Sequence, residues 1–491
     1  MKEEWAWPED SLDPPDWAEY RSVCRAAAEE AAAYLEHVRT RPAWRPLPPA
    51  VLDLPRQELP LAPTPLPAVI EEFRSTVLPY PTGNIHPRFF GWVHGTGLSC
   101  GVVAEMYAAA MNANLGGRNH APVYVERAVL EWCRRIFRFP EGASGLLVSG
   151  TSMGTVVALA SARNRMIPGD IRQDGLRGAR PVAFYASSEV HQSNAKALEL
   201  LGLGSGCLRR IPVDENFRMR TDALAEAVAA DRGAGVLPVC VIGTAGTVNT
   251  GAVDDLTALA SFCREQGLWF HVDGAFGAMC ALNDSLRPRI AGIELADSLA
   301  FDFHKWMFVQ YGVGCVLVRD GEAQREAFAY RESYLHGKAR GAAGGDAWFC
   351  DYGPELSRGF LALRVWFAMK EHGLRRLGRV VLRNCLQAEY LRDRIRRHPS
   401  LRLLAGDLNV TCFRYVDESL NEEQLDRLNE DVVADLQEMG IAVPSTTRIH
   451  GLLAIRAALT NHRTEREDLD LFLDETVRLA KRRLGDMPPQ S

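Results

Sequence analysis

Between about residues 100 and 320 the chain repeats one pattern, a short apolar run followed by a helical stretch. Pro181–Tyr185, Val236–Ile242, Leu268–Val272 and Gly314–Val318 are apolar nearly throughout. A strand with one wet face alternates apolar and polar residues, whereas short unbroken apolar runs read as strands covered on both faces. Helical stretches at 190–202, 221–231 and 254–267 separate them. Strands and helices in alternation predict an α/β fold built on a mostly parallel sheet.

The flanks read differently. Residues 16–40 predict a helix with Val23, Ala27, Ala31 and Leu35 on one stripe. Nine prolines in 42–67 predict an extended arm, which either wraps a neighbouring subunit or straps its own chain. Val123, Leu130 and Phe137 mark an amphipathic helix. A glycine-rich stretch, 336–347, predicts a mobile loop. From 354 a long helix is expected through Leu356, Phe360, Leu363 and Phe367. Helices at 376–397, 419–438 and 464–485, with strands at 402–404, 408–415 and 452–457, then predict a smaller α+β domain. The expected divisions are an N-terminal arm, 1–85, a large domain, 86–360, and a small domain, 361–491.

A formal charge of -6 gives no reason to expect nucleic acid or a membrane surface as partner. No run of 18 apolar residues predicts a membrane span, and Met1-Lys2-Glu3-Glu4-Trp5 opens no secretory signal. The 11 cysteines are scattered without a CxxC pair, which reads as reduced thiols in a cytoplasmic protein. Neither HExxH nor a zinc-ribbon spacing occurs, so no protein-built metal site is expected.

Chemistry is concentrated at the ends of the apolar runs. Lys305 follows Leu299-Ala300-Phe301-Asp302-Phe303-His304. Taken alone, such a lysine more often packs its stem at a strand end and reaches its amine to water. A desolvated lysine amine can instead form a Schiff base with a carbonyl. Asp273 ends the run Trp269–Val272, and a buried carboxylate there needs a cation or a helix to cap; a protonated pyridine nitrogen is one such cation. Gly150-Thr151-Ser152-Met153-Gly154 opens a helix after Leu146–Ser149. It reads either as a plain cap or as an anion cradle, and no Walker lysine follows. His191 starts a helix and could stack on a ring. Thr244-Ala245-Gly246-Thr247 follows a strand at the end where open α/β sheets bind ligands.

Taken together, these segments resemble the group II pyridoxal-phosphate decarboxylases of fold type I, from about residue 70 to the C-terminus. His271-Val272-Asp273-Gly274-Ala275-Phe276 and Asp297-Ser298 through His304-Lys305-Trp306 resemble the family's cofactor motifs. His86-Pro87-Arg88-Phe89-Phe90-Gly91 resembles the segment that opens its large domain. The resemblance implies a mostly parallel seven-stranded sheet and a homodimer with shared active sites. It implies pyridoxal 5'-phosphate on Lys305 as an internal aldimine, with Asp273 on the pyridinium and His191 on the ring face. Thr151, Ser152 and His304 would hold or support the phosphate, and Thr247 and Ala275 would flank the ring. The activity implied is decarboxylation of an L-amino acid to an amine. Trp92, Val93 and His94 would face the substrate side chain, which suggests an aromatic or bulky one; His94 could instead recognise a polar or acidic group.

Two positions depart from the family pattern. Asp302 stands where many relatives have Asn. Phe349 falls where aromatic decarboxylases carry the loop tyrosine that protonates the substrate carbon, unless Tyr352 or Tyr334 takes that role. In relatives, phenylalanine there goes with oxidative deamination to an aldehyde. Transamination or β-elimination would use the same Lys305 and Asp273, and a non-enzymatic pyridoxal-binding regulator would need no mobile loop.

Overall fold

Seven strands form the central sheet of a computed structural model that describes residues 11–330, 340–345 and 348–486. They are β1 (Ser144–Val148), β2 (Val182–Ser187), β3 (Leu208–Ile211), β4 (Leu237–Thr244), β5 (Trp269–Asp273), β6 (Ser298–Asp302) and β7 (Gly314–Val318). Their order is β1-β7-β6-β5-β4-β2-β3. The pairs among β6, β5, β4, β2 and β3 are parallel, and β7 runs antiparallel to both β6 and β1. Every residue of β5, β6 and β7 is buried, as their unbroken apolar sequences require. The helix Thr151–Met166 packs across β1, β5, β6 and β7, while Leu256–Gln266 packs on β4 and β5.

The second sheet has four antiparallel strands in the order β10-β11-β9-β8: β8 (Leu401–Ala405), β9 (Val410–Tyr415), β10 (Ser445–Ile449) and β11 (Leu452–Ala458). Helices Glu422–Glu438 and Arg466–Asp486 pack on it. Residues 86–96 bridge the two sheets: Phe90 donates its N–H to the Val443 carbonyl, and Thr460 Oγ1 donates to His94 O at 2.6 Å.

Lys305 lies in the turn beyond β6, past the strand end at Asp302. Several expectations need correction. The long helix begins at Ala362, not at 354, and breaks at Gly373, where φ is 68°. Residues 354–361 stay out of the helix because Arg358 is held elsewhere. Its backbone pairs with Asn114 and Leu115, and its guanidinium reaches Glu126 at 2.6 Å inside the core. The proline-rich arm is not wholly extended, for it contains the short turns Pro49–Leu52 and Leu54–Arg56. Proline suits a first helical turn, where its missing N–H has no partner to lose. Half of the glycine-rich stretch 336–347, residues 336–339 and 346–347, lies outside the described residues.

Candidate active site

The C-terminal ends of β4, β5 and β6 deliver three segments to one cavity of about 280 Å³. Lys305, Asp273, His191 and Ala275 line it. Trp92, Val93 and His94 line it from the bridging segment. Gly95 explains how that segment fits: a Cβ built there would lie 1.4 Å from the His304 carbonyl oxygen, so only glycine lets the backbone rest on the lysine turn. Trp92 and His94 stack with centroids 5.5 Å apart, and Phe89 stacks on His94 at 5.5 Å.

Asp273 is buried, and its Oδ2 accepts from Asn194 Nδ2 at 2.9 Å while Oδ1 accepts from the Ala275 N–H at 3.2 Å. No lysine, arginine or histidine lies within ion-pair distance of it among the described residues. A buried carboxylate supplied with hydrogen bonds but with no cation fits a ligand that brings one. His191 caps the helix Gln192–Leu200. Its Nδ1 accepts from the Ser193 N–H at 3.2 Å, so in the neutral ring the proton sits on Nε2. Desolvation lowers the pKa of this imidazole, with Asp273 opposing, which favours the neutral ring suited to lie on an aromatic face.

Lys305 Nζ lies 3.0 Å from Asp302 Oδ2. Asp302 Oδ1 accepts from the Thr151 N–H at 2.6 Å, at the start of the helix Thr151–Met166. Thr151 Oγ1 is buried and has no hydrogen-bond partner among the described residues, an orphan hydroxyl at a helix N-terminus. That fits a phosphate. His304 Nδ1 sits 3.0 Å from the Val313 carbonyl, and its ring faces Tyr311 at 4.7 Å. Burial lowers the His304 pKa. Thr247 is buried in its own turn, where its Oγ1 lies 2.9 Å from Thr250 Oγ1; its neighbours Gly246 and Val248 line the cavity.

The structure does not bring Phe349 to this cavity. Its buried ring lies under the Arg358 guanidinium at 5.0 Å, and it lines a different cavity together with Tyr352. Tyr334 lies outside the described residues.

Several site residues were missed from sequence. Asn194 follows His191 by three positions, one helical turn, and that spacing could have found it. Tyr311 lines the cavity and accepts from the Gly95 N–H at 3.2 Å; nothing in its local sequence singles it out. Arg456 lies behind the bridging segment, buried, donating to the Trp92 carbonyl at 3.0 Å. An arginine inside the apolar run of β11 carries the same signal that drew attention to Lys305.

The model of the pyridoxal-dependent decarboxylase conserved domain matches residues 48–416. An aromatic-L-amino-acid decarboxylase of Bacillus atrophaeus is 32% identical over 390 residues, 78% of this chain and 79% of that protein. A phenylacetaldehyde synthase of Arabidopsis thaliana is 25% identical over 467 residues, 92% of this chain and 94% of the other. The crystal structure of Oryza sativa TDC with PLP and tryptamine superposes with a TM-score of 0.89 at 24% identity, covering 96% of this chain and 100% of that one. The chain belongs to the pyridoxal-dependent decarboxylase family. It is a pyridoxal-phosphate enzyme of fold type I and a decarboxylase by class.

Proposed function

We propose that the chain converts an L-amino acid with an aromatic or otherwise bulky side chain into its amine and CO2. The observation that carries this is the pairing of Asp273, a buried carboxylate without a cation, with Lys305 on the same cavity. Pyridoxal phosphate, when bound, supplies an electron sink for the pair left at Cα when CO2 departs. Lys305 is the residue that bonds the cofactor, and Asp273 keeps the ring nitrogen protonated. His191 covers the ring face, Thr151 and Ser152 hold the phosphate with His304 in support, and Thr247 and Ala275 flank the ring. Trp92, Val93 and His94 form an aromatic and apolar wall that excludes water from the side chain of the substrate. The aromatic-L-amino-acid decarboxylase among the relatives acts on aromatic substrates by name, which supports that choice. The alternative is the aldehyde-forming outcome: Phe349 lies outside the cavity of its own chain, and a phenylacetaldehyde synthase stands among the relatives.

We read the working form as a cytoplasmic homodimer without nucleic-acid or membrane partners. Among the described residues no helix is long and apolar enough to cross a membrane. The helix Trp17–Glu36 buries none of its residues fully in its own chain. Met106, Tyr107 and Met111 on the helix Ser99–Met111 are exposed, and both features support cover by a second subunit. The divisions 1–85, 86–360 and 361–491 belong to the same reading, with the second sheet and the helices packed on it in the last of them.

Lys305→Ala and Asp273→Ala test the site. The expected results are loss of borohydride-trapped cofactor on the first and loss of turnover on both. Cofactor still trapped on Lys305→Ala protein, or turnover kept by Asp273→Ala, would contradict the assignment.

A further inference from the structure

Asp302 holds the place that an anionic ligand would take. Its Oδ1 accepts the Thr151 N–H at 2.6 Å, at the positive end of a 16-residue helix. Its Oδ2 lies 3.0 Å from Lys305 Nζ. Gly150 and Gly314 close around the carboxylate: a Cβ built on Gly314 would lie 2.7 Å from Asp302 Oδ1 and 2.8 Å from Gly150 Cα. The carboxylate is therefore fixed by packing as well as by hydrogen bonds. The seat also shows a demand that Asp302 leaves unmet, since Thr151 Oγ1 is buried without a partner among the described residues. His304 Nδ1, 3.7 Å from Asp302 Oδ1, faces the same carboxylate.

We propose that Asp302 is a resident anion in the phosphate seat, which holds Lys305 and the helix start together in the free enzyme and weakens the hold on the cofactor's phosphate. Two anions that share one helix N-terminus repel each other, and the repulsion is strong where water is excluded. Asp302 thereby makes the cofactor exchangeable: the phosphate adds less to binding than the cradle alone would give, and the apoenzyme keeps an ordered, charge-balanced site. Asp302 is a positioning residue in this account. The proposal rests on the reading of Thr151 and Lys305 as cofactor residues.

The test is binding to the full-length apoenzyme, wild type and Asp302→Asn, titrated with pyridoxal phosphate and with pyridoxal, which lacks the phosphate. Asparagine keeps the size and an acceptor for the Thr151 N–H but removes the charge. The expected result is binding of pyridoxal phosphate tighter by about tenfold or more in the variant, with pyridoxal changed by less than about twofold. Inorganic phosphate should compete with the cofactor at lower concentration in the variant, and the cofactor should dissociate more slowly. Unchanged or weaker binding of pyridoxal phosphate, or equal tightening of both ligands, would overturn the proposal. Should Asp302→Asn not fold, Asp302→Ser removes the same charge. Wild-type protein offers a check without any variant: the proposal expects pyridoxal phosphate to outbind pyridoxal by less than about a hundredfold, and a larger preference contradicts it. Lys305→Ala separates the two levels. Cofactor still trapped covalently there would overturn the site reading, whereas loss of trapping with no effect at Asp302 would overturn this inference alone.

Discussion

At the residue scale the site depends on how its charged groups are held. Asn194 is the side chain that fixes Asp273, donating at 2.9 Å and donating to the His191 carbonyl as well, at 3.2 Å. Its own Oδ1 has no partner among the described residues, so its place is set by what it donates. Asn194→Ala should lower kcat/KM by about 10- to 100-fold, the size of a lost hydrogen bond to a charged group, and should weaken cofactor binding in parallel. Steady-state kinetics with a cofactor titration checks this, and an unchanged kcat/KM would show that Asp273 needs no such support. Lys305, Asp273 and His191 were legible in the sequence because each is a polar group in or beside an apolar run. Asn194, Tyr311 and Arg456 were not read out, since their importance comes from partners more than a hundred positions away or on another element. Phe349 was placed by counting along a loop, and in its own chain its ring lies beneath Arg358, outside the cavity.

At the element scale, the buried strands β4, β5 and β7 were legible because cover on both faces leaves no room for polar alternation. The edge strand β3 was not. Its sequence Leu208-Arg209-Arg210-Ile211 carries two arginines, which an edge tolerates, and Arg209 pairs with Asp231 at 2.9 Å. β10 was missed as well, being short and polar, and it is joined to β11 by a two-residue turn in which His450 and Gly451 have φ of 49° and 84°. The misplaced start of the helix Ala362–Arg397 traces to Arg358. That guanidinium meets Glu126 at 2.6 Å with both groups buried, and it also donates to the Leu147 carbonyl of β1. Arg358→Ala leaves Glu126 as an unpaired buried acid and should destabilise the fold by about 3–5 kcal/mol. Urea unfolding of the variant tests this, and a loss below about 1 kcal/mol would mean that the pair is not a structural anchor.

At the scale of the whole molecule, burial leaves three histidines uncharged in the fold. Desolvation lowers His86 and His271 from 6.5 to about 4, and His462 from 6.5 to about 3. The unfolded chain binds protons at these sites first, so their contribution is present above pH 6.5 and is lost as pH falls toward 4. Asp254 acts the other way, because burial raises it to about 6, and burial raises Glu126 and Asp297 as well. Burial also lowers His94, His191 and His304, so the histidines outnumber these acids and the urea midpoint should fall between about pH 7 and about pH 5. A midpoint that rises over that interval would contradict the neutral burial of these rings. The parallel sheet, the lysine turn and the bridging segment 86–96 together make one cavity, where the chemistry takes place. Its most direct test is product analysis of the holoenzyme on a panel of aromatic and other bulky L-amino acids, scoring CO2, amine, aldehyde and oxygen uptake together. The expected result is CO2 and amine in equal amounts from an aromatic or bulky substrate, without oxygen uptake and absent with Lys305→Ala; aldehyde with oxygen uptake, a keto acid, or no CO2 from any substrate would contradict amine formation at this site.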